Sequence, residues 1–397
     1  MVASDETMKS YKHLFSRALA SSPGRIHFAA HSHHLWPDAS CEGHMAAWDD
    51  GVALADRKWE KVFGEVIPEA QQHVADELKL PDRRTIAFSA NTHEYLGRIF
   101  TSKWDHKTID ILTTDGEFHS FRRQSARWEE RDFVKRRIVP CEPFNTFTQR
   151  FLAAMREQPA DVAFLSHVMF RSGLRFDGVE ELASYASPDG PWVVLDTYHS
   201  FMAMPCDFSR VADRVFLMGG GYKYAMAGEN AAYLHAPHGY APRPTQTGWF
   251  ADFGAMEGKQ GEVGYNTDGS RFLGATYDPT GLYRFNAIRR MLAKEGLNTA
   301  TISAHCGALR ARMVEAIEAG IAGKTLRGAQ LLKPNASGSQ SRFISLRHPR
   351  AVEWKSQLMA QNIITDARDD ILRIGLAIYH DEADVDAFCA GVARVLG

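Results

Sequence analysis

Six short apolar runs recur between residues 85 and 236: "TIAFS" (85–89), "IDILTT" (109–114), "VAFLS" (162–166), "WVVLD" (192–196), "RVFLMG" (214–219) and "AAYLHA" (231–236). Several are separated by helix-length amphipathic segments. Runs that are apolar without alternation need cover on both faces, and parallel strands need helical crossovers to supply it. This pattern predicts an α/β fold with a largely parallel central sheet and helices on both faces. Upstream, "HMAAWDDGVALADRKWEKVFGEVIPEAQQHVADELKL" (44–80) reads as two helices broken at Pro68. Residues 237–281 are rich in Gly, Pro, Trp and Phe and read as a long functional loop region. Beyond it, helices are expected in "GLYRFNAIRRMLAKEG", "TISAHCGALRARMVEAIEAG" and "DEADVDAFCAGVARVLG", with strands in "RFISLRH" and "DILRIGLAI". The expected division is an N-terminal segment (1–45) contributing to the site, a large domain (46–270) and a smaller C-terminal α+β domain (271–397).

Charge excludes one class of partner. The 46 basic and 48 acidic residues nearly cancel, so no nucleic-acid footprint is expected. The five cysteines (Cys41, Cys141, Cys206, Cys306 and Cys389) are scattered and contain no C-x-x-C pair. That argues against a disulfide framework or structural zinc site and for a reducing compartment. The acidic N-terminal stretch does not read as a signal peptide, and no run is apolar enough to cross a membrane. A cytoplasmic protein is expected.

Two segments carry candidate chemistry. "HFAAHSHHLWPD" (27–38) follows a short strand expected over Arg25–Ala30 and places His31, His33 and His34 at its end. A strand-end His-x-His pair suits a metal ion, or the histidines line a substrate pocket. In "PWVVLDTYHSFMAMPCDFSRVADRVFLMGGGYKYAMAGENAAYLHAP", Asp196 ends one strand and Lys223 follows the next, after Gly219-Gly220-Gly221. Ligands of such sheets bind at the carboxyl edge. A lysine that can form a Schiff base, beside a carboxylate that can pair with a pyridinium nitrogen, is what pyridoxal phosphate chemistry requires.

At this point the sequence resembles a family, the class V branch of fold-type I pyridoxal phosphate enzymes, and within it kynureninase. "LDTYHSFMAMP" resembles the Asp-x-x-His element, implying Asp196 at the ring nitrogen with His199 beside it. "GGGYKYAMAGENAAYLHAP" implies Lys223 as Schiff-base lysine and Tyr222 near the phosphate. "DDILRIGLAIYH" implies Arg373 as the clamp on the substrate α-carboxylate. "FSANTHEYL" offers Asn91, Thr92 and His93 as phosphate cradle, because a helix N-terminus is an anion site. "GEFHSF" implies Phe118 stacked on the cofactor ring. "TGWF" implies Trp249 towards the phosphate, and "FLGAT" implies Thr276 supplied by a neighbouring subunit.

Two departures lie where the substrate side chain would sit. The family's proline and aspartate after the aromatic residue are replaced by His119-Ser120-Phe121, and its strand-end turn is replaced by His31-Ser32-His33-His34. His31, His33, His34 and His119 are therefore candidate substrate residues. The resemblance implies a homodimer with active sites at the interface, acting on an α-amino acid by hydrolytic Cβ–Cγ cleavage or a related β-lyase reaction. The alternatives are a class V aminotransferase, a cysteine desulfurase-like Cβ–S lyase and a metal-dependent hydrolase using His31 and His33. No metal is expected in the preferred reading.

Overall fold

The computed structural model describes residues 9–252, 261–335 and 341–397. After a two-residue strand β1 (Ile26–His27), seven strands build the central sheet. They are β2 (Ile86–Ser89), β3 (Ile109–Thr114), β4 (Val134–Val139), β5 (Val162–Ser166), β6 (Trp192–Asp196), β7 (Val215–Gly220) and β8 (Ala232–His235), in the order β2-β8-β7-β6-β5-β3-β4. Only β8 runs against its neighbours, β2 and β7; the remaining pairs are parallel.

The unbroken apolar runs have a direct structural reason. In β5, Ala163 and Leu165 join one core cluster while Val162 and Phe164 join another across the sheet. Val193 and Leu195 repeat the alternation against Val194 in β6. Both faces are dry, so both sets of positions must be apolar.

The strand β4, "VKRRIV", lies outside the expected runs. It is the sheet's edge, pairs only with β3, and is buried only at Val134 and Val139. Its polar centre gives no apolar run, and charge on an edge strand discourages pairing with another chain.

The main helices flanking this sheet are α1 (Asp38–Leu54), α2 (Ile67–Leu78), α3 (Thr92–Lys103), α4 (His119–Glu129) and α5 (Phe147–Glu157). Helices α3, α4 and α5 are the crossovers that follow β2, β3 and β4. Helix α5 shows the logic: Phe147, Phe151, Leu152 and Met155 share its buried face. The break expected at Pro68 falls earlier, at residues 55–57, where Ala55 has φ 49°. From Lys58 the backbone stays helical through a π turn at Val62–Val66, and Pro68 sits in the first turn of α2. There its missing N–H is tolerated.

The C-terminal part contains α6 (Thr280–Lys294), α7 (Thr299–Ala319), α8 (Ala351–Ala360) and α9 (Glu382–Leu396). Its strands are β9 (Gln330–Leu331), β10 (Phe343–Arg347), β11 (Ile363–Ile364), β12 (Asp366–Arg368) and β13 (Ile371–Gly375). An antiparallel sheet runs β12-β13-β10-β9. Strand β1 is shorter than the Arg25–Ala30 expectation and pairs in parallel with β11, Ile26 opposite Ile363. Ala29 then bridges to Gly375, and the Gly375 N–H donates to the Phe28 carbonyl at 2.6 Å. The N-terminal segment is thereby tied to the C-terminal sheet. Short 3-10 turns at Trp249–Ala251 and Gly269–Phe272 interrupt the expected 237–281 loop, whose residues 253–260 lie outside the described residues.

Candidate active site

Short loops after β2, β3, β5, β6 and β7 bring side chains to the carboxyl edge of the sheet. They enclose a cavity of about 220 Å³ lined by Asn91, Phe118, Phe170, Asp196, His199 and Lys223, among others. Asp196 is the last residue of β6, in register with Ser166 of β5. Its Oδ1 accepts a 2.8 Å hydrogen bond from the Tyr198 N–H. Lys223 lies three residues beyond β7 and is buried.

The glycine run before Lys223 serves close approach. A Cβ on Gly220 would come within 2.2 Å of the Tyr198 hydroxyl. No left-handed backbone is involved there. The space belongs to Tyr198, whose ring lies 4.8 Å below the Lys223 ammonium nitrogen.

Electrostatics set the lysine apart. Burial lowers the Lys223 pKa to about 7, with the nearby charge of Asp196 opposing the fall and that of Arg373 adding to it. Its Nζ lies 2.7 Å from His199 Nε2 and donates to it when that nitrogen carries no proton. His199 is itself held neutral, well below the usual histidine range, by burial and by the charges of Lys223 and Arg373. Burial pushes the Asp196 carboxyl up, and the Tyr198 N–H and the Lys223 charge pull it partly back. An amine near neutrality beside a carboxylate at a strand end can serve as nucleophile and base in turn.

The cavity wall thus unites Asn91, Thr92, His93, Phe118, Asp196, His199, Tyr222 and Lys223. Asn91 caps α3, its Oδ1 accepting from the Glu94 N–H at 3.2 Å, so this helix N-terminus faces the cavity. The Phe118 ring lies 5.6 Å from Lys223 Nζ and edge-on to Phe170.

The other expected residues are not on that wall. Arg373 stands outside the lining, donating to the Phe170 carbonyl and to Asp366. His119 lines an adjacent groove together with His93, Ser120 and Arg122. Trp249 and Thr276 meet each other, the indole Nε1–H donating to Thr276 Oγ1 at 3.1 Å, away from the Lys223 cavity.

The histidine cluster divides three ways. His31 is fully buried, stacked on Phe343 and 3.8 Å from Asp366 Oδ2. Gly375 leaves the room it needs, since a Cβ there would fall 2.0 Å from His31 Nδ1. His33 lies with its ring 5.9 Å from that of Tyr222. His34 packs between Phe15 and Tyr379 and bonds the Leu35 carbonyl. Among the described residues no group of three or more His, Cys, Asp or Glu side chains is placed to hold a metal ion. The metal-hydrolase alternative built on His31 and His33 therefore has no assembled ligand set.

Sequence reasoning passed over Ser166, Phe170, Glu117 and Asp366. Glu117 is fully buried, accepting from Thr114 Oγ1 at 2.6 Å and from Ser166 Oγ at 2.7 Å, and burial raises it to about 7. Ser166 was within reach of the carboxyl-edge rule, because it ends a strand as Asp196 does. Asp366 was within reach of hairpin register.

Residues 302–391 match the family model of the kynureninase C-terminal domain. A kynureninase of Deinococcus radiodurans is 27% identical over 267 residues, covering 65% of this chain and 61% of that protein. One of Burkholderia mallei is 25% identical over 280 residues, covering 63% and 64%. By sequence, the chain is kynureninase-like. The match spans a little over three fifths of the length of these relatives.

Solved structures similar to this kynureninase-like chain extend over nearly all of it. A variant of C-DES with glycine covalently linked to its PLP cofactor superposes with a TM-score of 0.80 at 18% identity, covering 98% of this chain and all of that one. The cystine C–S lyase C-DES with its product cysteine persulfide gives 0.78 at 18%, covering 95% and 99%. A cysteine desulfurase from Thermococcus onnurineus gives 0.77 at 17%, covering 98% and 99%. The architecture is the fold-type I architecture expected from the sequence: a mostly parallel central sheet with helices, plus a C-terminal part. No helix among the described residues is long and apolar enough to cross a membrane.

Proposed function

We propose that this chain is a pyridoxal 5'-phosphate-dependent enzyme acting on an α-amino acid, with hydrolytic Cβ–Cγ cleavage of the kynureninase kind as its reaction. The observation that carries the proposal is Lys223: a buried amine brought to about 7 in a cavity at the carboxyl edge, with Asp196 and a helix N-terminus on the same wall.

The residues present fit the cofactor. Lys223 Nζ would hold its aldehyde carbon, Asp196 its ring nitrogen, Phe118 its ring face, and the start of α3 at Asn91, Thr92 and His93 its phosphate. Tyr222 is placed to assist at the phosphate or as an acid. When bound, the cofactor supplies an electron sink that acidifies the substrate α-proton.

The chain's own groups do the rest. Asp196, when ionised, would hold a proton on the ring nitrogen by its negative charge. Lys223 Nζ, its proton affinity lowered by burial, would take the α-proton, and His199 Nε2 at 2.7 Å would keep that nitrogen aimed. Arg373, anchored on the Phe170 carbonyl behind the wall, would orient the substrate carboxylate, and Phe118 and Phe170 would cover one side of the cavity.

A second reading is β-elimination, since the aspartate that the family carries after its aromatic residue is absent from His119-Ser120-Phe121, where Phe121 is buried and stacked on Phe164 with ring centroids 3.8 Å apart. Sulfur transfer through a protein persulfide lacks a cysteine at this cavity. None of the five cysteines lines the cavity, Cys306 and Cys389 are buried in helices, and burial pushes Cys206 up to about 12. Cytoplasmic residence and a homodimer complete the proposal. Trp249 and Thr276, paired with each other and apart from their own chain's cavity, would serve the phosphate of a second copy.

The test has two stages. Borohydride reduction of the protein loaded with the cofactor, followed by peptide mapping, should place the label on Lys223. Mass spectrometry of products from a panel of α-amino acids then decides between Cβ–Cγ cleavage, elimination and transamination. A label elsewhere, or no visible absorbance after loading, ends the proposal.

A further inference from the structure

One carboxylate beside the site is paired with two arginines and has no role in the mechanism above. Asp366 is buried in β12, directly opposite Arg373 of β13 in the antiparallel register. Its Oδ2 accepts from Arg373 Nη2, and its Oδ1 lies 3.0 Å from Arg368 Nη1. His31 stands 3.8 Å away, too far for a hydrogen bond. Burial alone would push Asp366 up, but the charge and hydrogen bond of Arg373 hold its carboxyl well below the usual range. It stays ionised.

Arg373 is 2% exposed and anchored at two corners, on the Phe170 carbonyl and on Asp366. The rings of Phe170 and Phe343 lie 5.4 and 5.7 Å from its guanidinium carbon. Its Nε–H is buried and has no partner among the described residues. An unpaired charged donor in such a place is costly unless a ligand completes it. Phe170, whose carbonyl holds Arg373, itself lines the Lys223 cavity.

We infer that Asp366 is a positioning residue: together with the Phe170 carbonyl it fixes the plane of the Arg373 guanidinium, so that its remaining N–H groups are presented to the carboxylate of the amino-acid ligand. This rests on the reading of Lys223 and Arg373 given above. Without Asp366 the guanidinium would be held at one corner and could rotate about its Cδ–Nε bond. Asparagine would satisfy one arginine with its oxygen but turn an amide N–H₂ towards the other. Arg368 cannot take over, because it is a donor only.

The experiment is a titration of the cofactor-loaded protein with L-alanine and with ethylamine, which lacks the carboxylate, followed by cofactor absorbance. Asp366→Ala should weaken L-alanine by at least about tenfold and Asp366→Asn by less, the scale of a lost charged hydrogen bond. Ethylamine affinity and the spectrum of the unliganded protein should stay at wild-type values. If the alanine variant does not fold, the asparagine variant carries the test through the same ratio of L-alanine to ethylamine affinity. Equal weakening of both ligands, or no weakening of L-alanine, overturns the inference. Failure of the wild-type protein to take up the cofactor overturns the functional proposal first, and shows itself before any variant is made.

Discussion

The two buried cations near the cavity, Lys223 and Arg373, are treated in opposite ways. Arg373 has a carboxylate placed directly on it by hairpin register. Among the described residues Lys223 makes no ion pair; its close partner is a neutral imidazole. Desolvation acts on both, but only the lysine is brought to about 7. The lesson is that burial becomes a tool or a cost according to what stands opposite. A base and nucleophile must lose its proton, so it is buried with little compensation. A carboxylate anchor must keep its charge, so it is buried with a counter-ion and built from a side chain that does not deprotonate.

The largest effect tests the uncompensated side of this pair. Lys223→Ala should remove borohydride labelling and lower turnover by at least about 10³-fold. Asp196→Ala should cost roughly 10²–10³-fold in turnover, the scale of one preorganised charge, while labelling at Lys223 persists. Steady-state rates and peptide maps check both, and activity within tenfold of wild type would assign these jobs elsewhere.

Arg373→Lys probes the compensated side. The charge remains but the planar fork is lost, so binding of every α-amino acid should weaken by roughly 2–5 kcal/mol, with side-chain preference little changed. A change confined to some amino acids would place Arg373 at the side chain instead.

A smaller effect lies in the pH dependence of stability of the cofactor-free protein. The folded pKa of Lys223, about 7, lies below the ordinary 10.5. Below pH 7 both states hold the proton and the cost of the buried cation is fully present. Between 7 and 10.5 the unfolded chain holds more protons, so this group's contribution makes stability rise with pH. Lys223→Met should therefore be more stable than wild type at pH 6, by a margin that shrinks towards pH 9. Denaturant titration at the two pH values measures this, and a constant margin would mean that the amine is not uncompensated.

The smallest effects separate His33 from His34. His34→Ala should lower stability by about 1–3 kcal/mol because it empties a packed site between Phe15 and Tyr379. His33→Ala, with its ring near Tyr222, should leave stability unchanged and shift relative rates among amino acids by less than about tenfold. Stability loss in the second variant would return His33 to a packing role.

Much of the site was legible because a parallel sheet imposes a rule. Strand ends collect at one edge, so a run such as "WVVLD" locates its last residue before any coordinates exist, and the wall does hold Asp196, His199, Tyr222 and Lys223 together. The fold class was legible for the same reason: strands dry on both faces leave unbroken apolar runs. Strand β4 was not, since an edge needs no such run.

The α/β architecture, the strand-end position of Asp196 and the family resemblance were legible in the chain alone, because these rest on local periodicity and on residues a few positions apart. Long-range packing, in contrast, sets which of three neighbouring histidines lies beside Asp366, which beside Tyr222 and which in the core. Strand β1 pairs with β11 more than 330 residues away, and the packing of Gly375 makes room for His31. The state of Lys223 was decided there too, because its desolvation and its distances from Asp196, His199 and Arg373 are sums over chain segments far apart in sequence. A lysine's place can be read from a motif; its proton is set by everything packed around it.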